Sequence, residues 1–246
     1  LSFEAVLTNE SLRLYLVAQT DQIGFYADAW HVAYPQCRAF PTDDPFAGLP
    51  PIKVFFDLYS PAPYDRLVIA PSSLWPTFVR FAPMLGPDGV LVYQVVFVPL
   101  RDRWQQNIAT LSAQRSRTDH KKLDEPVFAA VIRIATTEAI LGTPLASFIG
   151  RFTSAGMPFP FRSIDEVTAI ISKDEIRDML RKRSTHTIGQ LLTTSELGNV
   201  FVHHPDPQTA LGVRLDVLKG LAVPARLGKG GLLLGTNRDR GNATSV

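Results

Sequence analysis

The residues predict an α+β protein, and three observations carry that prediction. Strand-like and helix-like stretches follow one another along the chain with turn signals between them. Two stretches, residues 90–100 and 127–135, are apolar at successive positions, the pattern of strands covered on both faces. Stretches with apolar residues at helical spacing, such as 172–183, supply the cover. Residues 1–115 and 126–205 share a loose strand–helix–strand plan without a residue-level repeat. Each is therefore expected to pack as a ferredoxin-like (split βαβ) sandwich unit. Residues 206–246, rich in Pro and Gly, are expected to be a C-terminal linker and the first strand of a further domain.

Taken in order, residues 2–18 read as a hairpin. Phe3, Ala5 and Leu7 alternate, then Leu12, Leu14, Leu16 and Ala18, with Asn9-Glu10-Ser11 as the turn. Thr20 or Asp21 caps a helix whose Ile23, Tyr26, Ala27, Trp30 and Tyr34 form an inward stripe, ended by Pro35. A short strand over 36–40 and a loop over 41–51 follow. Ile52, Val54, Phe56 and Leu58 mark the next strand, with Lys53, Phe55, Asp57 and Tyr59 on a half-exposed opposite face. After a strand at 67–70, Ser72 or Ser73 starts a helix with Leu74, Phe78, Phe81, Ala82 and Leu85 inward and Pro76 in its first turn. Gly86-Pro87-Asp88-Gly89 is a turn. In residues 90–100 only Gln94 is polar before the end, which assigns a central position. Residues 101–114 read as a helix, and 116–125 as an exposed charged connection.

The second half opens with the two-sided strand 127–135. Residues 137–153 read as a helix weakened by Gly142 and Pro144, and 157–161 as extended. In the amphipathic helix 172–183, Ile176, Met179 and Leu180 face inward and cations crowd the C-terminal end, where the helix dipole favours them. Thr194 or Ser195 caps a last short helix before Pro205.

With 246 residues, 46% of them hydrophobic and 20% charged, the chain has the composition of a globular protein with a sizeable core. A net charge of +2 does not by itself call for nucleic acid. The single cysteine, Cys37, excludes an intramolecular disulfide and a zinc-finger pattern, and reads as a packed side chain without an activating neighbour. No apolar run reaches the roughly 18–20 residues that span a bilayer. The chain starts at Leu1 without Met or a signal-peptide pattern, so it is expected to be a piece of a longer product.

Chemistry-bearing motifs are sparse. Adjacent His203 and His204, with Asp206 nearby, lack ligand spacing and read as structural or interface residues. GGLLLGT at 230–236 lacks the Lys that a phosphate loop requires after its second glycine. There is no G-x-S-x-G motif. Trp30, Trp75 and Trp104 are assigned to helix faces in the core. Two basic clusters are candidate nucleic-acid contacts: Arg115, Arg117, Lys121 and Lys122, and Arg177, Arg181, Lys182 and Arg183. A solvated loop and a solvated helix end are their ordinary reading, and no aromatic-basic signature of an RNA-binding sheet accompanies them.

Leu191-Leu192-Thr193-Thr194-Ser195-Glu196-Leu197, then Val200-Phe201 and His203-His204-Pro205, resembles the segment ahead of the motor domain in conjugation and type IV secretion-like ATPases of the FtsK/HerA group. Leu233-Leu234-Gly235-Thr236-Asn237-Arg238-Asp239-Arg240-Gly241 is similar to the strand that follows in that group. Glu196, Leu197, His204, Pro205, Leu234, Gly235 and Asn237 are the positions that carry the resemblance. It implies a non-catalytic N-terminal domain, with no cofactor of its own. ATP and Mg²⁺ would belong to a motor domain downstream. The implied partners are that motor, copies of the chain in a homo-oligomeric ring, and a membrane channel or secretion partner, with DNA an indirect one. The implied location is the cytoplasm, including the inner face of the membrane.

Overall fold

The structure is a computed structural model, and it describes residues 1–33, 42–58, 75–100, 124–149, 161–163, 166, 172–184, 190–200, 214–215, 236–239 and 242–245. The protein is mixed α/β. Residues 1–19 and 42–215 form one unit, and residues 20–41 and 216–246 another.

In the first unit the strands are β1 (Ser2–Leu7), β2 (Ser11–Val17), β3 (Val54–Leu58), β4 (Leu91–Pro99), β5 (Val127–Thr136), β6 (Phe161–Ser163), β7 (Gln190–Thr193) and β8 (Arg214–Leu215). They form a single sheet in the order β6-β3-β5-β4-β1-β2-β8, with β7 paired to β5 beside β3. All pairings are antiparallel except β2 with β8. Strands from residues 1–115 and from 126–205 thus lie side by side, and β4 pairs with β5 along its whole length. β3 and β4 flank β5, both antiparallel to it, and so run parallel to each other. β5 and β6 flank β3 in the same way.

One face of the sheet carries the main core. Phe3, Ala5, Leu7, Phe56, Leu58, Leu91, Tyr93, Val95, Ile132 and Ile134 alternate along their strands and point to it. Three helical segments cover this face. In the first, the short helix α2 (Trp75–Phe78) passes into a 3₁₀ segment, Val79–Met84. The expected α-helix does not continue because Pro83 has no N–H to donate and crowds the preceding turn. Its Phe78, Phe81 and Leu85 are buried as expected. In the second, a 3₁₀ turn, Ala139–Leu141, leads into α3 (Gly142–Ile149), and Phe148 meets Phe81 edge-on at 5.7 Å. In the third, α5 (Thr194–Val200) buries Leu197 and Val200.

The other face carries a smaller apolar cluster of Phe46, Ile52, Phe55, Val92 and Ala135, to which α4 (Lys173–Lys182) adds Ile176 and Leu180. Helix α4 starts as the sequence expects. Ser172 Oγ accepts from the Glu175 N–H at 3.2 Å, and the Glu175 carboxylate accepts from the Ser172 N–H at 2.7 Å. It ends in a Schellman turn, with the Arg183 N–H on the Leu180 carbonyl and the Ser184 N–H on that of Met179. Asp57 and Phe55, expected half-exposed, are buried because α4 and residues 42–52 close over that face.

The second unit holds α1 (Ile23–Ala33) and a hairpin of β9 (Thr236–Asp239) with β10 (Asn242–Ser245). Ile23, expected to face inward, is exposed, and so are Phe25 and Val32. Trp30, assigned to the core, is half-buried. The expected strands at 36–40 and 67–70 and the helix at 101–114 lie outside the described residues, as do Cys37, Trp104 and His203. Among the described residues no helix is long and apolar enough to cross a membrane.

Candidate functional site

Beneath α4 a row of polar side chains crosses the sheet at one register level. Glu4 on β1 lies opposite Gln94 on β4, Gln94 opposite Arg133 on β5, and Arg133 opposite Asp57 on β3. The backbone positions that continue the row are Tyr15 on β2 and Arg162 on β6. Glu4, Gln94, Arg133 and Asp57 are all at most 1% exposed, which makes Arg133 the largest fully buried side chain described. Burying charges is costly unless they are paired and hydrogen-bonded.

The pairing is sequential. Arg133 Nη1 donates to Gln94 Oε1 at 3.2 Å and to the Met179 carbonyl at 3.4 Å, while Arg133 Nε lies 3.9 Å from Asp57 Oδ1. Gln94 Nε2 donates to Glu4 Oε1 at 3.0 Å and to the Leu180 carbonyl at 2.8 Å. The amide therefore joins a cation on one side to an anion on the other, with its orientation set by both. Glu4 Oε1 also accepts from Ser2 Oγ at 2.9 Å. Both backbone acceptors come from the last turn of α4, where the helix dipole is negative. Burial lowers the affinity of Arg133 for its proton, and the Asp57 charge opposes that shift.

Arg183 closes the row. Its Nε and Nη2 donate to Glu4 Oε1 and Oε2 at 2.9 and 3.0 Å. Its Nη1 and Nη2 donate to Asp44 Oδ2 and Oδ1 at 3.0 and 2.9 Å, and Nη1 also donates to the Arg181 carbonyl. All five N–H donors of the guanidinium are thereby used. The Phe46 ring lies 5.1 Å from the guanidinium carbon. Asp44 is held in place by its own turn, with Oδ1 accepting from the Phe46 N–H at 3.0 Å. The Arg183 hydrogen bonds hold the Asp44 carboxyl below its ordinary value. Burial alone would lower the Arg183 value, but the bonds to Asp44 and Glu4 outweigh it and raise it. Arg183 also has φ 53°, the one left-handed non-glycine residue among those described.

Of the basic cluster on α4, then, Arg183 is directed inward. Lys182 pairs with Asp178 at 2.9 Å on the exposed surface, Arg177 lies 4.0 Å from Asp174, and Arg181 is exposed. Arg115, Arg117, Lys121 and Lys122 lie outside the described residues. Among the motif positions, Glu196 and Leu197 are buried. The Glu196 carboxylate accepts from the Thr193 N–H at 3.0 Å, and Thr193 Oγ1 accepts from the Glu196 N–H at 3.2 Å. The cap of α5 is therefore Thr193, not the expected Thr194 or Ser195. Asn237 lies in β9 opposite Thr244. His204, Pro205, Leu234 and Gly235 lie outside the described residues. Among the described residues no group of three or more His, Cys, Asp or Glu side chains is arranged to hold a metal ion.

Glu4 and Asp44 were not singled out by the sequence, and Arg133 and Asp57 only as members of strands. The usable signal was the isolated polar residue in an otherwise apolar strand, which Gln94 and Arg133 both are. Fold and site together define a mixed α/β protein with an antiparallel sheet whose second face carries a buried ionic row. No family model, curated protein or solved structure matches this chain.

Proposed function

We propose that this chain is a non-catalytic assembly or docking domain of a DNA-translocating ATPase of the conjugative or type IV secretion-like kind. The resemblance of residues 191–205 and 233–241 motivates it. The observation that carries it is how Glu196 and Leu197 are used. Glu196 closes the cap of α5, and Leu197 and Val200 plug that helix into the main core. The buried Tyr93 hydroxyl donates to the Val200 carbonyl at 3.2 Å. Helix α5 is thus anchored in the main core of the sheet, ahead of residues 206–246, as a domain that positions a downstream motor requires.

A ferredoxin-like βαββαβ arrangement accompanies this reading, as one unit over residues 54–163 rather than one in each half. Its support is the order β6-β3-β5-β4, with each helical connection joining parallel strands that flank a third. The alternative of nucleic-acid binding through the basic clusters has less support, because Arg183 uses every donor internally.

The test is to purify the chain and the region encoded downstream of it separately, then to measure ATP hydrolysis and mutual binding. The expected result is no turnover by this chain and complex formation with a P-loop ATPase. Turnover by this chain alone, or a gene product without such an ATPase, would end the proposal.

A further inference from the structure

The surroundings of Arg183 have the properties of a receptor for its side chain. Two carboxylates, Glu4 and Asp44, each take two parallel hydrogen bonds from one planar cation, and the Phe46 ring lies against it. This fork-to-fork match selects a guanidinium over an ammonium, which brings three donors in no fixed plane. Glu4 is wholly buried and kept in place by Ser2 and Gln94, and Asp44 by its own turn, so the acceptors are built independently of Arg183.

The occupant, by contrast, is held at a cost. Arg183 has a left-handed backbone that an L-residue with a side chain adopts unfavourably. The helix it latches contributes only Ile176 and Leu180 as fully buried apolar residues. Beneath lie Glu4, Gln94, Arg133 and Asp57, which would regain hydration if α4 lifted. Burial of Ile176 and Leu180 and the Gln94 and Arg133 bonds to the Leu180 and Met179 carbonyls also hold α4, and the latch adds the tie at the helix end.

We propose that Glu4, Asp44 and Phe46 form a guanidinium-binding site whose resident ligand is Arg183, and that an arginine side chain from another molecule exchanges with it and releases α4 from the sheet. This does not depend on the proposed role beside a motor.

The experiment follows hydrogen exchange of the α4 amides in the full chain, with ethylguanidinium chloride or ethylammonium chloride added at equal ionic strength. In the wild type, ethylguanidinium competes with Arg183 and should speed α4 exchange roughly tenfold more than ethylammonium does, a difference the size of one charge-assisted hydrogen bond. In Arg183→Ala, α4 exchange starts fast, and ethylguanidinium alone should slow it by filling the vacated site. One compound with opposite effects on the two proteins separates occupancy from denaturation. Equal effects of the two cations on the wild type overturn the proposal, and so does failure of ethylguanidinium to slow exchange in a folded Arg183→Ala. If that variant does not fold, the β4 and β5 amides of the wild type are the control: faster exchange confined to α4 supports the proposal, and faster exchange shared with the sheet overturns it.

Discussion

Arg183 and Glu4, 179 positions apart in the chain, meet as a bidentate ion pair with both contacts between 2.9 and 3.0 Å. The pair ties the end of α4 to the first strand of the sheet. Its Glu4 end is dry and its Arg183 end partly open to water, with side-chain exposures of 0% and 16%.

Removing one member of a buried pair leaves the other charged and unmatched, which costs about 3–5 kcal/mol. Water reaches Arg183, so Arg183→Ala should cost less, about 2–3 kcal/mol. Arg183→Gly loses the same contacts but relieves the left-handed backbone, so it should be about 1 kcal/mol more stable than Arg183→Ala. Urea unfolding midpoints of the two variants check the order, which is the reverse of what a helix interior would give.

The latch also sets a pH dependence. Arg183 holds the Asp44 carboxyl below its ordinary value of 3.8, so ionised Asp44 stabilises the fold at and above the ordinary carboxylate range. That contribution should disappear as the pH falls through the depressed value. Thermal midpoints of wild type and Asp44→Asn, compared from neutral pH downward, should therefore differ at neutrality and converge in acid.

Arg133 and Asp57 make a different case, since both are dry. Arg133→Met should destabilise by about 3–5 kcal/mol, because it removes the cation that lies beside the buried Asp57 carboxylate and donates to Gln94 and the Met179 carbonyl. Adding Asp57→Leu should recover at least half of that loss, and a double-mutant cycle in denaturant measures it.

Gly89 and Gly86 should respond unequally to alanine. A Cβ on Gly89 would stand 2.7 Å from the Gly86 nitrogen and 2.8 Å from Glu138 Oε1, whereas one on Gly86 would meet only Glu138 Oε1, at 3.2 Å. Gly89→Ala must move backbone and should cost about 1–3 kcal/mol, while Gly86→Ala asks only a side chain to shift. Removing Glu138 as well should rescue Gly86→Ala and leave Gly89→Ala impaired.

Much of the sheet was legible from local pattern. The two-sided apolar run at 90–100 placed β4 centrally, and the alternation in residues 2–18 gave the β1–β2 hairpin. The amphipathic spacing of Ile176, Met179 and Leu180 gave α4. The ionic row was not legible, because its members come from β1, a loop, β3, β4, β5 and the end of α4, and a pattern of period two or 3.6 carries no information about partners so far apart. Arg183 read as a solvated helix-end cation because its neighbours Arg181 and Lys182 are just that. The 3₁₀ form of Val79–Met84 was foreseeable from Pro83, whose effect the apolar stripe concealed.

The central claim is that this chain places a motor through the buried anchor at α5. The most direct measurement is the mass, by light scattering, of the full-length gene product with and without residues 1–246. Loss of the assembled state on deletion, with ATP hydrolysis retained by the freed motor, is the predicted result. An assembly whose mass per subunit and subunit number are unchanged by the deletion, apart from the residues removed, would contradict it.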